Sequence, residues 1–224
     1  MNRSVSFTHP GRVRRNNEDS YYADDSGGVW VVCDGMGGHR DGNYASRLVT
    51  DLFERSSICG GIEQKIKSSL ELLSKAHDAL LERSAQLGGD AIVGATVAAL
   101  LVDGRMGASI YAGDSRCYIL RENRLLIATD DHAKTVESPD GYRRYLTKAL
   151  CAPSRFDVDT KRFGVEKGDT FLLCTDGFYG ALSTEMIKKA MRSNDLSEAL
   201  ESLGNITLSS DADDNLTALM GRIL

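Results

Sequence analysis

The sequence predicts an α+β protein in which antiparallel β-sheet is covered by helices. Short apolar runs rich in β-branched residues recur along the chain, each typical of a buried strand. Amphipathic helical patterns come in two blocks rather than between successive strands, which disfavours a parallel sheet. The chain has 224 residues and no internal repeat, low-complexity segment or linker pattern. We therefore expect residues 1–224 to form one domain.

The first third of the chain predicts three strands followed by two helices. The second and third strands are joined by a short polar turn and form a hairpin. The helical segments carry apolar side chains at helical spacing, as expected for helices that lie on a flat layer. The strands are predicted at residues 4–8, 21–24 and 29–33, and the helices at 44–56 and 62–86.

The rest of the chain predicts an antiparallel meander, then two more helices and a last strand. Residues 129–150 are polar and predict an irregular segment. Ser183 and Asp195 have the side chains of helix N-caps and each precedes a helical pattern. The strands are predicted at residues 95–102, 106–112, 116–121, 124–128, 157–163, 170–174 and 216–224.

The charge balance and the cysteines limit the possible partners and the cellular location of this protein. Lys and Arg total 27 against 32 Asp and Glu, so the chain offers no basic surface for nucleic acid or an anionic membrane. Residues 1–15 lack the apolar segment of a signal peptide, and residues 95–102, the longest near-apolar run, are too short to span a bilayer. Five widely spaced cysteines, with Cys33 and Cys174 inside apolar strands, indicate reduced thiols. We expect a cytoplasmic protein.

Four carboxylate sites stand at the ends of predicted strands. An isolated Asp-Gly pair usually marks an ordinary turn. Here the same arrangement recurs far apart in the sequence, which predicts one centre assembled by the fold. The carboxylates are Asp34 after residues 29–33, Asp114 after 108–112, Asp176 after 171–175, and Asp214 before 216–220.

These carboxylates predict a divalent metal centre. His and Cys are absent from the turns, so Mg²⁺ or Mn²⁺ is favoured over zinc. Water held between two such ions is strongly acidified, and the ions attract an anionic substrate such as a phosphate ester. Asp19 is a candidate to orient or deprotonate that water. Arg14 offers a planar fork for two phosphate oxygens, although Arg14-Arg15 alone would indicate a solvated basic pair.

Seven short motifs, each weak alone, occur in a specific order between residue 11 and the end of the chain. They are Arg14-x-x-Asn17-Glu18-Asp19, Asp34-Gly35-Met36-Gly37-Gly38-His39, Gly94-Ala95-Thr96, Gly113-Asp114-Ser115-Arg116, Asp131-His132, Thr175-Asp176-Gly177 and Asp214-Asn215-Leu216-Thr217. By these motifs the chain resembles the metal-dependent (PPM, type 2C) protein serine/threonine phosphatases, especially their bacterial members.

The resemblance implies a fold and a set of metal ligands. The fold is a four-layer α-β-β-α sandwich, with two central antiparallel sheets, helices outside and metal ions in a cleft at one end. Asp34 would bridge two Mn²⁺ or Mg²⁺ ions, and the Gly35 carbonyl would bind one of them. Asp176 and Asp214 would complete the ligands of the second ion, and Asp114 would hold a weaker third ion together with Asp176.

The resemblance also implies a reaction and its partners. Glu18 would reach metal-bound water, and Arg14 would hold the substrate phosphate. Phosphoserine and phosphothreonine would be hydrolysed directly, without a phosphoenzyme. The substrate would be a phosphoprotein that is the target or product of a serine/threonine kinase, and we expect the phosphatase to be a monomer.

The sequence departs from the family pattern at three places. Many eukaryotic members carry a histidine at the position of Met36 that is thought to protonate the leaving alkoxide; here metal-bound water or His39 would have to do so. Asn43 stands where bacterial relatives often have glutamate, a mild change. The flap segment around residues 131–150 is shorter than usual, which predicts a more open cleft and weakens the surroundings of the third ion.

Two other functions remain open at this point. A catalytically weak pseudophosphatase would bind phosphoproteins as a sensor or scaffold, but a decayed site has no reason to keep Asp34, Asp176 and Asp214. A two-metal nuclease would use similar carboxylates, and the acidic charge balance disfavours it. The motifs favour the phosphatase.

Overall fold

Two antiparallel sheets stacked face to face form the centre of the molecule, and helices cover both outer faces. The computed structural model describes residues 3–37, 40–88, 91–138, 141–150 and 155–224. In these ranges the layers run helix, sheet, sheet, helix, with one apolar cluster between the sheets and one beneath each helical layer. The predicted α-β-β-α sandwich is confirmed.

Secondary structure accounts for most of the described chain. In chain order the strands are β1 (Arg3–His9), β2 (Asp19–Asp24), β3 (Val29–Met36), β4 (Gly94–Ala95), β5 (Val97–Asp103), β6 (Met106–Ala112), β7 (Arg116–Arg121), β8 (Arg124–Ile127), β9 (Ala133–Ser138), β10 (Gly141–Leu146), β11 (Asp159–Gly164), β12 (Thr170–Cys174) and β13 (Leu216–Arg222). The helices are α1 (Arg40–Glu54), α2 (Ile62–Leu87), α3 (Asp176–Tyr179), α4 (Thr184–Met191) and α5 (Leu196–Leu208).

The first sheet has the strand order β11-β6-β5-β3-β2, with β4 paired to β3, and its outer face is covered by α1 and α2. Side chains of a strand alternate between the two faces. In β3, Val31 and Cys33 therefore pack against the helices, while Trp30 and Val32 point into the space between the sheets. This strand is apolar on both faces because both are buried.

The second sheet has the strand order β1-β13-β12-β7-β8, and α3, α4 and α5 cover its outer face. Both predicted N-caps are confirmed. The Ser183 hydroxyl accepts a hydrogen bond from the Met186 amide (3.3 Å), and the Asp195 carboxylate accepts one from the Glu198 amide (3.0 Å). Each cap satisfies a backbone amide that the first helical turn leaves without a partner.

Within the segment predicted as irregular, residues 129–150, the strands β9 and β10 pair instead as an antiparallel hairpin. That prediction was wrong because most side chains of this hairpin are exposed, so no apolar alternation marks the strands. Two smaller differences concern strand ends. Residues 95–102 are divided between β4 and β5, and the turn after β12 continues as the short helix α3.

The cysteines described are free thiols. Cys33, Cys117 and Cys174 are buried and Cys59 is exposed, which agrees with the expectation of small core residues at 33 and 174. No helix in the described ranges is long and apolar enough to cross a membrane.

Candidate metal centre

The ends of β2 and β3 place two carboxylates side by side. Asp19 and Asp34 are directly paired residues of these antiparallel strands, so their side chains leave the sheet on the same face. The Asp34 backbone is fixed from the other side by Thr96, whose hydroxyl accepts from the Asp34 amide (3.0 Å) and whose amide donates to the Asp34 carbonyl (2.8 Å). The pairing of β2 with β3 therefore fixes the positions of both carboxylates.

Asp19 is buried beneath this end of the sandwich, with 7% of its surface exposed. The Thr175 hydroxyl donates to Asp19 Oδ2 (2.9 Å), whereas Oδ1 has no hydrogen-bond partner among the described residues. Burial raises the pKa of Asp19 to about 7; hydrogen bonds from Thr217 and Thr175 oppose this rise, and the charges of Asp176 and Asp214 add to it. A buried carboxylate oxygen without a partner indicates that a proton, water or cation belongs beside it.

The other carboxylates lie close enough to Asp34 for their charges to affect its pKa. Burial raises its pKa well above the usual range, and the charges of Asp19, Asp176, Asp214 and Asp114 raise it further, in that order. Asp176 likewise has a raised pKa, through burial and then the charge of Asp214. The fold thus brings the four strand-end carboxylates predicted from the sequence to one end of the sandwich, together with Asp19.

Gly35 lets three backbone segments meet at this point. A Cβ at residue 35 would lie 1.9 Å from the Gly42 carbonyl oxygen and 2.7 Å from the Glu18 carbonyl oxygen. The Gly35 amide donates to that same Glu18 carbonyl (3.1 Å). The Glu18 carboxylate rests against the start of α1, since a Cβ at Gly42 would lie 2.0 Å from Glu18 Oε2. Only glycine allows this contact, which holds Glu18 beside Asp34.

Asn215 ties the loop that carries Arg14 and Glu18 to the start of β13. Its Oδ1 accepts from the Glu18 amide (2.7 Å), and its Nδ2 donates to the carbonyls of Pro10 (2.9 Å) and Asn16 (3.0 Å). Asn215 is 5% exposed, so these bonds are shielded from water. Asn215 belongs to the last of the seven motifs, but the sequence predicted no role for it.

Arg14 lies at the edge of this centre. Its guanidinium donates from Nε to the Asp213 carbonyl (3.1 Å) and from Nη2 to Asp214 Oδ2 (3.3 Å). The Arg14 side chain is 57% exposed and that of Asp214 is 41% exposed. A cavity of about 480 Å³ opens next to Asp214, between α3 and the end of α5. The predicted phosphate-binding residue is thus brought to the carboxylates and stays accessible.

Asp114, which was predicted to hold a third ion, is paired with an arginine from the hairpin. Arg144 Nε lies 3.0 Å from Asp114 Oδ2, and Arg144 Nη2 lies 2.8 Å from Asp131 Oδ2. Burial raises the pKa of Asp114 to about 6, with a further rise from Asp176, while Arg144 opposes both. Sequence reasoning missed Arg144, because it lies 30 positions after Asp114 and no motif contains it.

A second arginine fixes the position of Asp131. Arg116 makes a bidentate ion pair with that carboxylate, with distances of 2.8 and 2.7 Å, and its guanidinium lies 3.9 Å from the centre of the Tyr179 ring. The Tyr179 hydroxyl donates to the Asp114 carbonyl (2.9 Å). Although burial alone would raise the pKa of Asp131, the bonds from Arg116 and Arg144 lower it. This network connects the hairpin to α3.

The structure shows the surroundings of two positions at which the sequence departs from the family pattern. Asn43 donates to the Asn17 carbonyl (2.8 Å) and so steadies the loop that leads to Glu18, a bond that a glutamate could not donate. Met36 lies at the end of β3, half-buried, and has no proton to give a leaving group. His39, the alternative acid considered from the sequence, lies outside the described residues.

The residues fit divalent cations by their chemistry. The carboxylates at this end of the sandwich are the oxygen donors that such cations prefer, and burial together with mutual repulsion raises their pKa values. Within the described ranges, no three His, Cys, Asp or Glu side chains already stand in the arrangement that would hold one ion. The fit to divalent cations therefore rests on the carboxylate oxygens and on Asp19 Oδ1, which has no hydrogen-bond partner among the described residues.

Comparison with known proteins agrees with this geometry. The profile of the family described as protein phosphatase 2C matches residues 11–220, which is nearly the whole chain. The chain belongs to the protein phosphatase 2C family. The motifs that carried the resemblance to this family lie within the matched range.

Two curated relatives carry phosphatase names. The chain is 29% identical to the serine/threonine protein phosphatase PstP of Mycobacterium tuberculosis, over 96% of its own length and 43% of that protein. It is 30% identical to the serine/threonine phosphatase stp of Listeria welshimeri, over 95% of its own length and 92% of that protein. The chain therefore spans less than half of PstP and nearly all of stp.

Two solved structures of this family superpose on the whole chain. PppA, described as a key regulatory component of T6SS in Pseudomonas aeruginosa, is 28% identical with a TM-score of 0.91, covering 100% of this chain and 98% of that one. The catalytic domain of PstP, solved in complex with two manganese ions, is 27% identical with a TM-score of 0.80, covering 99% and 97%.

Proposed function

We propose that this chain is a protein phosphatase that hydrolyses phosphoserine and phosphothreonine esters. Two Mn²⁺ or Mg²⁺ ions would be held by Asp34, the Gly35 carbonyl, Asp176 and Asp214. The observation that carries the proposal is the convergence of buried, mutually repelling carboxylates at one end of the sandwich. The two manganese ions in the PstP catalytic domain support the choice of cation.

Asp19 and Glu18 are the residues that would act on the attacking water. Bound divalent ions would supply positive charge and acidify a water molecule. Thr175 holds Asp19 Oδ2, which leaves Asp19 Oδ1 to accept a proton from that water. Glu18, whose amide donates to Asn215, would reach the same water from the loop that precedes β2.

Arg14 would hold the phosphate. Its guanidinium reaches Asp214 and remains largely exposed, so a phosphate arriving at the centre can take two of its donors. The proposed substrates are phosphorylated proteins, the targets or products of a serine/threonine kinase. We further propose that the protein is a cytoplasmic monomer, that residues 1–224 form one domain, and that Asp114 is a ligand of a third, weaker ion.

The test is hydrolysis of a phosphothreonine peptide with Mn²⁺, with Mg²⁺ and with a chelator. We expect turnover that depends on the added ion and is lost on chelation. Asp176→Asn should abolish nearly all of it while the circular dichroism spectrum stays unchanged, because the substitution removes one charged ligand without changing the volume. Asp78→Asn, on α2 and away from the centre, serves as the control.

Two outcomes would contradict the proposal. Near-normal turnover by Asp176→Asn would mean that Asp176 is not a metal ligand. Absence of turnover despite measurable ion binding would instead favour the pseudophosphatase, a sensor or scaffold that binds phosphoproteins.

A further inference from the structure

Asp114 is paired with a positively charged side chain of the protein itself. Asp114 is 4% exposed, and its carboxylate forms an ion pair with Arg144 at 3.0 Å. The arginine comes from β10, the second strand of the exposed hairpin, whereas Asp114 follows β6 in the first sheet. The pair therefore links the second strand of the hairpin to the end of the first sheet.

The guanidinium of Arg144 is held on more than one side. Its Nη2 donates to Asp131 Oδ2 (2.8 Å) and lies 3.4 Å from the Tyr179 hydroxyl oxygen. Asp131 is in turn fixed by the bidentate pair with Arg116. The surroundings of Arg144 are thus two carboxylates and a phenol, each of which is anchored to the sandwich.

The base of the hairpin is anchored beside Asp114, because the His132 amide donates to the Gly113 carbonyl (2.8 Å) and the Gly113 amide donates to His132 Nδ1 (3.3 Å). Nearly all side chains of β9 and β10 are exposed or half-buried, and neither strand contributes to an apolar cluster. An exposed hairpin without an apolar face gains little stability from its own burial. The charged contacts of Arg144 therefore hold β10, beyond the anchored base of the hairpin, against Asp114.

Arg144 and a third divalent ion would compete for the same carboxylate. Asp114 has one carboxylate charge to offer, and a guanidinium at 3.0 Å already neutralises it. A divalent ion bound there would face that guanidinium at close range, and like charges repel strongly where water is partly excluded.

We propose that Arg144 is a positioning residue that occupies the third-ion site, so that a third ion binds at Asp114 only when Arg144 leaves. At ion concentrations that fill the first two sites, the protein is then a two-ion phosphatase with its hairpin closed. Binding of the third ion then separates Arg144 and its strand β10 from Asp114, while the base of the hairpin stays attached through His132. This inference rests on the proposed two-ion site formed by Asp34, Asp176 and Asp214.

The test is the number and affinity of Mn²⁺ ions bound by the metal-free protein, measured by isothermal titration calorimetry and by electron paramagnetic resonance of free Mn²⁺. For wild type we expect two ions and a much weaker third. In Arg144→Gln the dissociation constant of the third ion should fall about tenfold, the equivalent of about 1.4 kcal/mol, while the first two are unchanged. Arg144→Lys, which keeps a charge, should bind the third ion nearly as weakly as wild type.

Two further variants make the assignment specific. Lys134→Gln removes a positive charge from the same hairpin, but Lys134 pairs with Tyr145 and lies on the opposite face from Arg144, so ion binding should match wild type. Asp114→Asn in the Arg144→Gln background should abolish the gain. Hydrogen exchange supplies a readout without turnover, because the amides of residues 133–146 should exchange faster in wild type once the third ion binds.

An equal affinity for the third ion in wild type, Arg144→Gln and Arg144→Lys would overturn the inference and leave the two-ion centre intact. A gain that survives Asp114→Asn would also overturn it, since the third ion would then bind elsewhere. Failure of any variant to bind two ions would contradict the proposed function itself.

Discussion

Among single side chains, Arg14 combines exposure with a carboxylate partner that it can exchange for phosphate. An ion pair of this exposure contributes at most about 1 kcal/mol, so the guanidinium is easily redirected. We predict that Arg14→Ala raises KM for a phosphothreonine peptide roughly tenfold and lowers kcat by a smaller factor. Steady-state kinetics would measure both, with Arg15→Ala, the exposed neighbour, as the control. A loss confined to kcat would mean that Arg14 acts mainly in the transition state.

Asp19 makes the stability of the metal-free protein depend on pH. Its pKa rises from 3.8 in the unfolded chain to about 7 in the folded one, so the folded state binds more protons between these values. Stability is then fully present at low pH and is lost as the pH rises through about 7. Asp114, with a pKa of about 6, acts in the same direction. His77, whose pKa is lowered by burial, opposes them.

We therefore predict that the chelated protein melts roughly 5 °C higher at pH 5.5 than at pH 7.5. Both pH values lie above the pH range in which Asp131 and Asp159, whose pKa values are lowered, would lose their ion pairs. Added Mn²⁺ should shrink the difference, because bound cations favour the charged carboxylates. Asp19→Asn should reduce it without metal. A higher melting temperature at pH 7.5 in the chelated protein would contradict this account.

At the scale of elements, the close approach of β3, α1 and the Glu18 loop makes Gly35 irreplaceable. In Gly35→Ala the new methyl group would overlap two backbone carbonyl oxygens, and backbone cannot yield as a flexible side chain can. We predict a loss of about 2 kcal/mol or more in the metal-free protein. Urea unfolding with chelator present would measure it apart from any effect on ion binding.

The matched control for this prediction is Gly164→Ala, in β11, where the nearest atom to the new Cβ would be 3.9 Å away. That variant should stay within about 0.5 kcal/mol of wild type. If Gly35→Ala behaved in the same way, the three segments would have room to separate, and the carboxylates would be less rigidly placed than the structure shows.

The elements also show how far the sequence could predict the fold. Strands such as β3 and β12, buried on both faces, were predicted because their apolar runs are continuous. The hairpin of β9 and β10 was missed because its exposed side chains carry no periodic signal. In the site, Asp34 and Asp176 were predicted from strand ends followed by glycine. Arg144 and Asn215 act through contacts between distant segments, and no local pattern contains such contacts.

For the molecule as a whole, the seam between the two sheets determines whether the chain unfolds as a unit. Trp30, the single tryptophan, is fully buried there, and its ring centre lies 4.4 Å from that of Phe171 on the opposite sheet. Its fluorescence therefore reports on the packing of one sheet against the other, while circular dichroism reports on all helices and strands.

We predict that urea unfolding of the chelated protein gives coincident transitions by these two probes, as one cooperative domain requires. Phe171→Ala should shift both transitions equally and lower the free energy of unfolding by about 3–5 kcal/mol, because it leaves a cavity between the sheets. Leu126→Ala, at a position 55% exposed on β8, should change it by less than about 0.5 kcal/mol. Separate transitions for the two probes would show that the sheets unfold independently. In that case residues 1–224 would comprise more than one cooperative unit, and the carboxylates from both sheets would not be held together by a common core.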